Sequence, residues 1–197
     1  MSEAPPRPHG RHHLHPADAD AVVAGAGIRP GELVLDLGAG HGALTAPLAA
    51  AGARVIAVEL DRRALRVLHA RFDGDDRVKV VDGDLLSVPL PRRPYRVVAN
   101  LPFSTTTAAL RRLLASPTLR RADLILQRGA AIGWCERHHR RFDLRLGPTI
   151  RAHRFRPAPS VDAAVLVVTR ASRASRRVDQ QRDVFVETPR QRQRRRR

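Results

Sequence analysis

Val34-Leu35-Asp36-Leu37-Gly38-Ala39-Gly40-His41-Gly42 is a mostly apolar run that closes in three alternating glycines. A run with so little polar alternation reads as a strand buried on both faces, as in a parallel sheet. Glycines directly after it allow a sharp turn and let the backbone approach a ligand with no Cβ in the way. The spacing is G-x-G-x-G, not the G-x-G-x-x-G of dinucleotide binders. Outward from this strand (residues 31–37), the pattern predicts a helix at 17–26 before it and another at 43–51 after it. Further strands are expected at 54–60, 78–81, 95–99 and 122–127, with helices at 62–72 and 105–114 between them. Such alternation predicts an α/β, Rossmann-like fold: a mostly parallel sheet with helices on both faces. Residues 161–169 are β-branched with no helical period, and are expected to pair at the sheet edge beside 148–155.

At 197 residues the chain has room for one domain with a sizeable core. The expected layout is a disordered leader at 1–10, a single catalytic domain at 11–170 and an arginine-rich disordered tail at 171–197. That tail holds ten arginines against three acids and ends in Arg194-Arg195-Arg196-Arg197. No apolar run approaches the roughly 20 residues needed to cross a membrane. The first fifteen residues lack the apolar core of a secretory signal. One cysteine, Cys135, excludes an internal disulfide and a multi-cysteine metal cage, so a reducing cytoplasm is expected. His9, His12, His13 and His15 cluster near the start, but no acid or cysteine completes a metal site, and no metal is expected. With 36 basic and 19 acidic residues, the formal charge of +17 favours a polyanionic partner, most simply a phosphate backbone.

Asp36, Gly38 and Gly40 surround the glycine turn, where a cofactor with an amino and a carboxylate group would sit. Glu59 ends the second strand 21 positions after Gly38, where an acid can take both hydroxyls of a ribose. Asp84 follows the third strand and can accept from an adenine amine. Each acid, taken singly, is also an ordinary polar strand end. Asn100-Leu101-Pro102-Phe103 follows the fourth strand. Its Asn100 side-chain oxygen and Leu101 carbonyl can accept the two hydrogens of a base amine. Pro102 stiffens the loop, and Phe103 offers a stacking face for an extruded base. The bland alternative is a β-to-α turn. Arg111 and Arg112, on the next helix, are placed for phosphate contact. A helix carrying Arg128 and Arg137 to Arg141, with Arg137, Arg140 and Arg141 toward RNA, reads equally as a solvated face around Trp134.

In this order the motifs resemble the Erm/KsgA ribosomal RNA adenine dimethylase family, over about residues 10–170. Phe155-Arg156-Pro157-Ala158-Pro159-Ser160-Val161-Asp162 also resembles a family segment beside the active site. The resemblance implies a fold dependent on S-adenosylmethionine, with Gly38, Glu59, Asp84 and Asn100 as cofactor contacts. It implies Asn100 and Phe103 as target-base contacts. Phe103 leans toward the Erm type, since the KsgA type usually has tyrosine there. Family members open with Gln-Asn-Phe-Leu or Gln-His-Phe-Leu; here Arg11-His12-His13-Leu14 stands in that place, so His12 supplies a polar and Leu14 an apolar contact. The family's C-terminal helical domain is expected to be absent or vestigial. Three functions fit. The first is a monomeric enzyme methylating adenine N6 in 23S rRNA, giving macrolide-type resistance. The second is a small-subunit dimethyltransferase in ribosome assembly, and the third a non-catalytic RNA-binding protein on the same scaffold.

Overall fold

A computed structural model describes residues 12–171; the expected leader, Arg11 and the tail from residue 172 lie outside the described residues. The first half of the chain holds β1 (His13–Leu14), α1 (Pro16–Ala26), β2 (Leu33–Leu37), α2 (Thr45–Ala50), β3 (Arg54–Glu59), α3 (Arg62–Phe72) and β4 (Val78–Asp82). Then come β5 (Tyr95–Asn100), α4 (Thr106–Ala115), β6 (Leu119–Gln127) and α5 (Arg128–Cys135). The last strands are β7 (Phe142–Ile150), β8 (Phe155–Arg156) and β9 (Ala163–Arg170).

Seven strands form one sheet in the order β4-β3-β2-β5-β6-β9-β7. The first five in that order are parallel, and β9 runs antiparallel between β6 and β7. The chain winds outward from β2 through β3 and β4, then restarts on the other side with β5 and β6. That reversal leaves a crevice beyond the carboxyl ends of β2 and β5, the usual ligand site of such a sheet. Alternation along β2 explains its burial on both faces. Leu33, Leu35 and Leu37 join the core layer with Leu110 of α4 and Trp134 of α5. Val34 joins the opposite layer with Val23 of α1 and Leu48 of α2. Each fully buried leucine contributes about 1.5–3 kcal/mol. α3 begins at Asp61, whose carboxylate accepts from the Arg63 and Ala64 amides, and it buries Leu65 and Leu68.

Three expectations need correction. The strand at Ala163–Arg170 is second from the edge, because β7 covers its whole outer side; the expected neighbour at 148–155 meets it only as far as Ile150, and the rest of β7 lies before that segment. Helix α2 starts at Thr45 rather than residue 43, since the left-handed turn at Gly42 (φ 81°) keeps the chain out of helix. The helix after β6 ends at Cys135, so residues 137–141 form a turn and not a helical face.

Candidate active site

The carboxyl ends of β2, β3, β4 and β5 border one open cleft, which encloses about 1140 Å³ including its mouth. His12, Leu14, Asp36, Gly38, Gly40, Glu59, Asp84, Asn100, Leu101, Pro102 and Phe103 all line it. Every residue the sequence assigned to cofactor or target base therefore meets in one place.

The glycine turn is pinned from below. The Gly38 and Ala39 amides donate to the Val58 carbonyl at 2.8 and 3.0 Å. Gly40 donates to Glu59 Oε2 at 2.8 Å, while Glu59 Oε1 accepts from the Leu60 and Asp61 amides. At least three of the carboxylate's roughly four lone-pair positions are thus engaged, and a grip on two ribose hydroxyls would displace one of these amides. Asp36 is 1% exposed and accepts from Thr45 Oγ1 at 2.7 Å. Burial pushes its carboxyl up to about 7; the Thr45 hydroxyl opposes that rise and the Glu59 charge adds to it. Asp84 accepts from the Leu86 amide at 2.9 Å, which orients it at the end of the β4 loop.

Asn100 ends β5, and its Nδ2 donates to the His12 carbonyl at 2.8 Å. A carbonyl can only accept, so the amide orientation is decided: Nδ2 faces residue 12 and Oδ1 is turned away from it. The loop that follows is stiff. The Pro102 carbonyl accepts from the Thr105 amide and from the Thr105 and Thr106 hydroxyls. Residues 12–15 roof the cleft as a strap. β1 pairs antiparallel with β8, aligning His13 with Arg156 and Leu14 with Phe155. His12 shares a 2.7 Å hydrogen bond between Nδ1 and the Pro157 carbonyl, and its ring lies 5.4 Å from that of Phe103. His13, which replaces the family's aromatic, stacks on His41 with centroids 4.8 Å apart. An imidazole pair thus restores a flat contact there. Sequence reasoning missed His41 and Pro157; the histidine inside the glycine motif was the available signal for the first.

The arginines divide. Arg111 is exposed on α4. Arg112 donates to the Leu85 and Val88 carbonyls, and so ties down the loop after β4. Arg141 donates to the Leu114 and Ala115 carbonyls at the end of α4. Arg137 lies over the Trp134 ring, and Arg140 is exposed. Phe142 pairs with Arg170, and the neighbouring register joins Thr169 to Arg121, so residues 137–141 sit at the amino end of the sheet. The nine residues of β6 separate that end from the cleft by about 30 Å. Among the described residues no group of three or more metal-ligating side chains forms, and no helix is long and apolar enough to cross a membrane.

The cleft suits a nucleoside joined to a charged amino acid. Acidic strand ends match hydroxyl and amine donors, and a Cβ at Gly40 would meet nothing within 4 Å, so the turn opens onto free space. Leu60, which lines the cleft, is 60% exposed, an apolar surface that a flat ring would cover. Doubly wound sheet, glycine turn and acidic strand ends together define the S-adenosylmethionine-dependent methyltransferase fold. Within that class, the chain belongs to the ribosomal RNA adenine dimethylase family, whose profile matches residues 14–186. It is 37% identical to an rRNA methyltransferase of Streptomyces thermotolerans, over 83% of this chain and 58% of that protein. It is also 37% identical to ribosomal RNA small subunit methyltransferase A of Gloeobacter violaceus, over 81% of this chain and 65% of that one. Among solved structures, the 23S rRNA methyltransferase ErmE superposes with a TM-score of 0.75 at 27% identity, covering 81% of this chain and 70% of that one. The chain spans about three fifths of the length of these curated relatives.

Proposed function

We propose that the chain transfers methyl from S-adenosylmethionine to the N6 amine of one adenine in 23S rRNA, the Erm-type activity that gives macrolide-type resistance. The observation behind this reading is the Asn100 amide. Its nitrogen is committed to the strap, which leaves Oδ1 as the acceptor beside the glycine turn. When bound, S-adenosylmethionine supplies an electrophilic methyl on sulfur. Glu59 would hold the cofactor's ribose, Asp84 its adenine amine, and the strap residues His12 and Leu14 its outer side. Asn100 Oδ1 and the Leu101 carbonyl would accept the two hydrogens of the target amine, drawing its lone pair out of the ring and toward the methyl. Phe103 would stack the extruded base, worth about 1–3 kcal/mol. Arg111 would hold phosphate near the target. The reading includes a cytoplasmic monomer acting on naked or assembling RNA.

The Phe103 loop and the likeness to ErmE support the large subunit. The 37% identity to a relative named for the small subunit keeps that RNA as the second reading. Incubating the protein with labelled S-adenosylmethionine and each naked rRNA, then mapping the labelled base, separates them. Label on a 23S adenine is expected. Label on small-subunit RNA alone selects the second reading, and tight RNA binding with no label refutes catalysis.

A further inference from the structure

His12 is held at three points. Its carbonyl accepts from Asn100 Nδ2, its Nδ1 lies 2.7 Å from the Pro157 carbonyl, and its ring is tilted 30° against Phe103 at 5.4 Å. Because the Pro157 carbonyl can only accept, the proton of this short hydrogen bond belongs to Nδ1. Neutral His12 therefore keeps its lone pair on Nε2, the arrangement by which a carbonyl orients an imidazole for proton transfer. His12 is half-buried and lines the cleft; its ring lies against the aromatic face assigned to the target base, while its main chain holds the Asn100 amide.

We propose that His12 is a catalytic residue of this chain: Nε2 accepts the proton that the adenine amine sheds as it is methylated. The inference rests on the proposed function. In the step, the N6 lone pair forms the new N–C bond while the methyl–sulfur bond breaks, its electron pair passing to sulfur. N6 is then a cation that still carries both hydrogens; one leaves its oxygen acceptor, Asn100 Oδ1 or the Leu101 carbonyl, for Nε2, the N–H bonding pair stays on N6, and the proton goes on to solvent. The other titratable groups lining the cleft make their contacts elsewhere than on the Phe103 ring. Glu59 and Asp84 accept from backbone amides, Asp36 from Thr45, and His13 and His41 stack on each other. Among the described titratable side chains lining the cleft, His12 is the one whose ring lies against Phe103 of the base-holding loop with its tautomer set by a carbonyl.

The test compares the full chain with His12→Gln and His12→Ala. The measurements are single-turnover methylation of the responsive rRNA across pH, S-adenosylmethionine affinity by calorimetry, and 15N spectra of labelled histidine in the cofactor-free protein. Expected is a rate loss of about 100-fold in both variants at saturating S-adenosylmethionine, beyond any loss of cofactor affinity from the strap, and recovery of His12→Ala by added imidazole. The acid limb of the wild-type rate profile should vanish in His12→Gln. The spectra should report His12 protonated at Nδ1, with Nε2 shifting when adenine-containing RNA is added. Wild-type rates in the variants, a loss confined to cofactor affinity, or the Nε2–H tautomer would overturn the assignment. So would an acid limb that survives in His12→Gln, since Asp36 would then be its source. A wild-type protein that methylates neither rRNA defeats the proposed function itself, whereas an active one with indifferent His12 variants defeats this inference alone.

Discussion

Asp36 shows how one buried atom group couples the site to stability. Its carboxyl rises from the ordinary 3.8 to about 7 because burial penalises the anion. Between those values the folded chain holds a proton that the unfolded chain has released. The stabilising contribution is therefore full at the acid end and is lost as pH rises toward 7. Melting curves of wild type should accordingly fall between about pH 4 and pH 7 relative to Asp36→Asn; parallel curves would show that Asp36 does not titrate there. Gly42 makes a second case. A Cβ on it would lie 2.7 Å from Phe72 Cε2 of α3, on a backbone at φ 81°. Gly42→Ala should cost about 1–3 kcal/mol in denaturant unfolding, and a neutral result would mean that α3 shifts freely. The meeting of Gly38, Glu59 and Asn100 around one cleft could be read from sequence because each stands at a strand end, where the main chain alone places it. The strap contacts of His12 could not, since they join residues 145 positions apart.

Most elements of the parallel half could also be read from sequence, because unbroken apolar runs and glycine stops signal buried strands. The antiparallel edge was less legible. Phe142-Asp143-Leu144-Arg145-Leu146 does alternate with period two, but the basic run before it invited a helical reading. The ionic clamp beneath the sheet was invisible to pattern. Arg96 of β5, only 8% exposed, donates to Glu32 at 2.9 Å and to the Gly27 and Ala26 carbonyls that end α1. Asp123 of β6 lies within ion-pair reach of it and also accepts from Arg121. Arg96→Ala leaves the Gly27 and Ala26 carbonyls without this donor, while Arg29 still pairs Glu32 and Arg121 still pairs Asp123, so it should cost about 1–3 kcal/mol. A loss below about 1 kcal/mol, the worth of a surface pair, would mean that water replaces the guanidinium. Arg141 does similar work at the end of α4, which turns an arginine expected on RNA into a helix cap.

At the scale of the whole molecule, charge and topology separate two questions that the sequence merges. The excess of 36 basic over 19 acidic residues speaks for a polyanion, but only topology says which arginines share an end with the cleft. Arg111→Ala should therefore weaken rRNA binding more than Arg140→Ala, and the reverse order would place the RNA on the far end of the sheet. The Ala171 amide donates to the Arg141 carbonyl, so truncation is best made after it. Removing residues 172–197, with ten arginines, should flatten the dependence of log affinity on log salt, by about 0.7–0.9 for each lost phosphate contact. An unchanged slope would leave that segment without a role in binding.

The sites proposed for the methyl donor and for the acceptor base share one cleft, and on that reading the two must fail differently when damaged. The decisive measurement is cofactor affinity and methyl transfer taken side by side for Glu59→Gln and Asn100→Ala. Glu59→Gln should lose cofactor binding, and transfer with it. Asn100→Ala should keep cofactor binding within about tenfold while transfer falls more than about 100-fold. Normal turnover in Asn100→Ala, or intact donor binding in Glu59→Gln, would contradict the account.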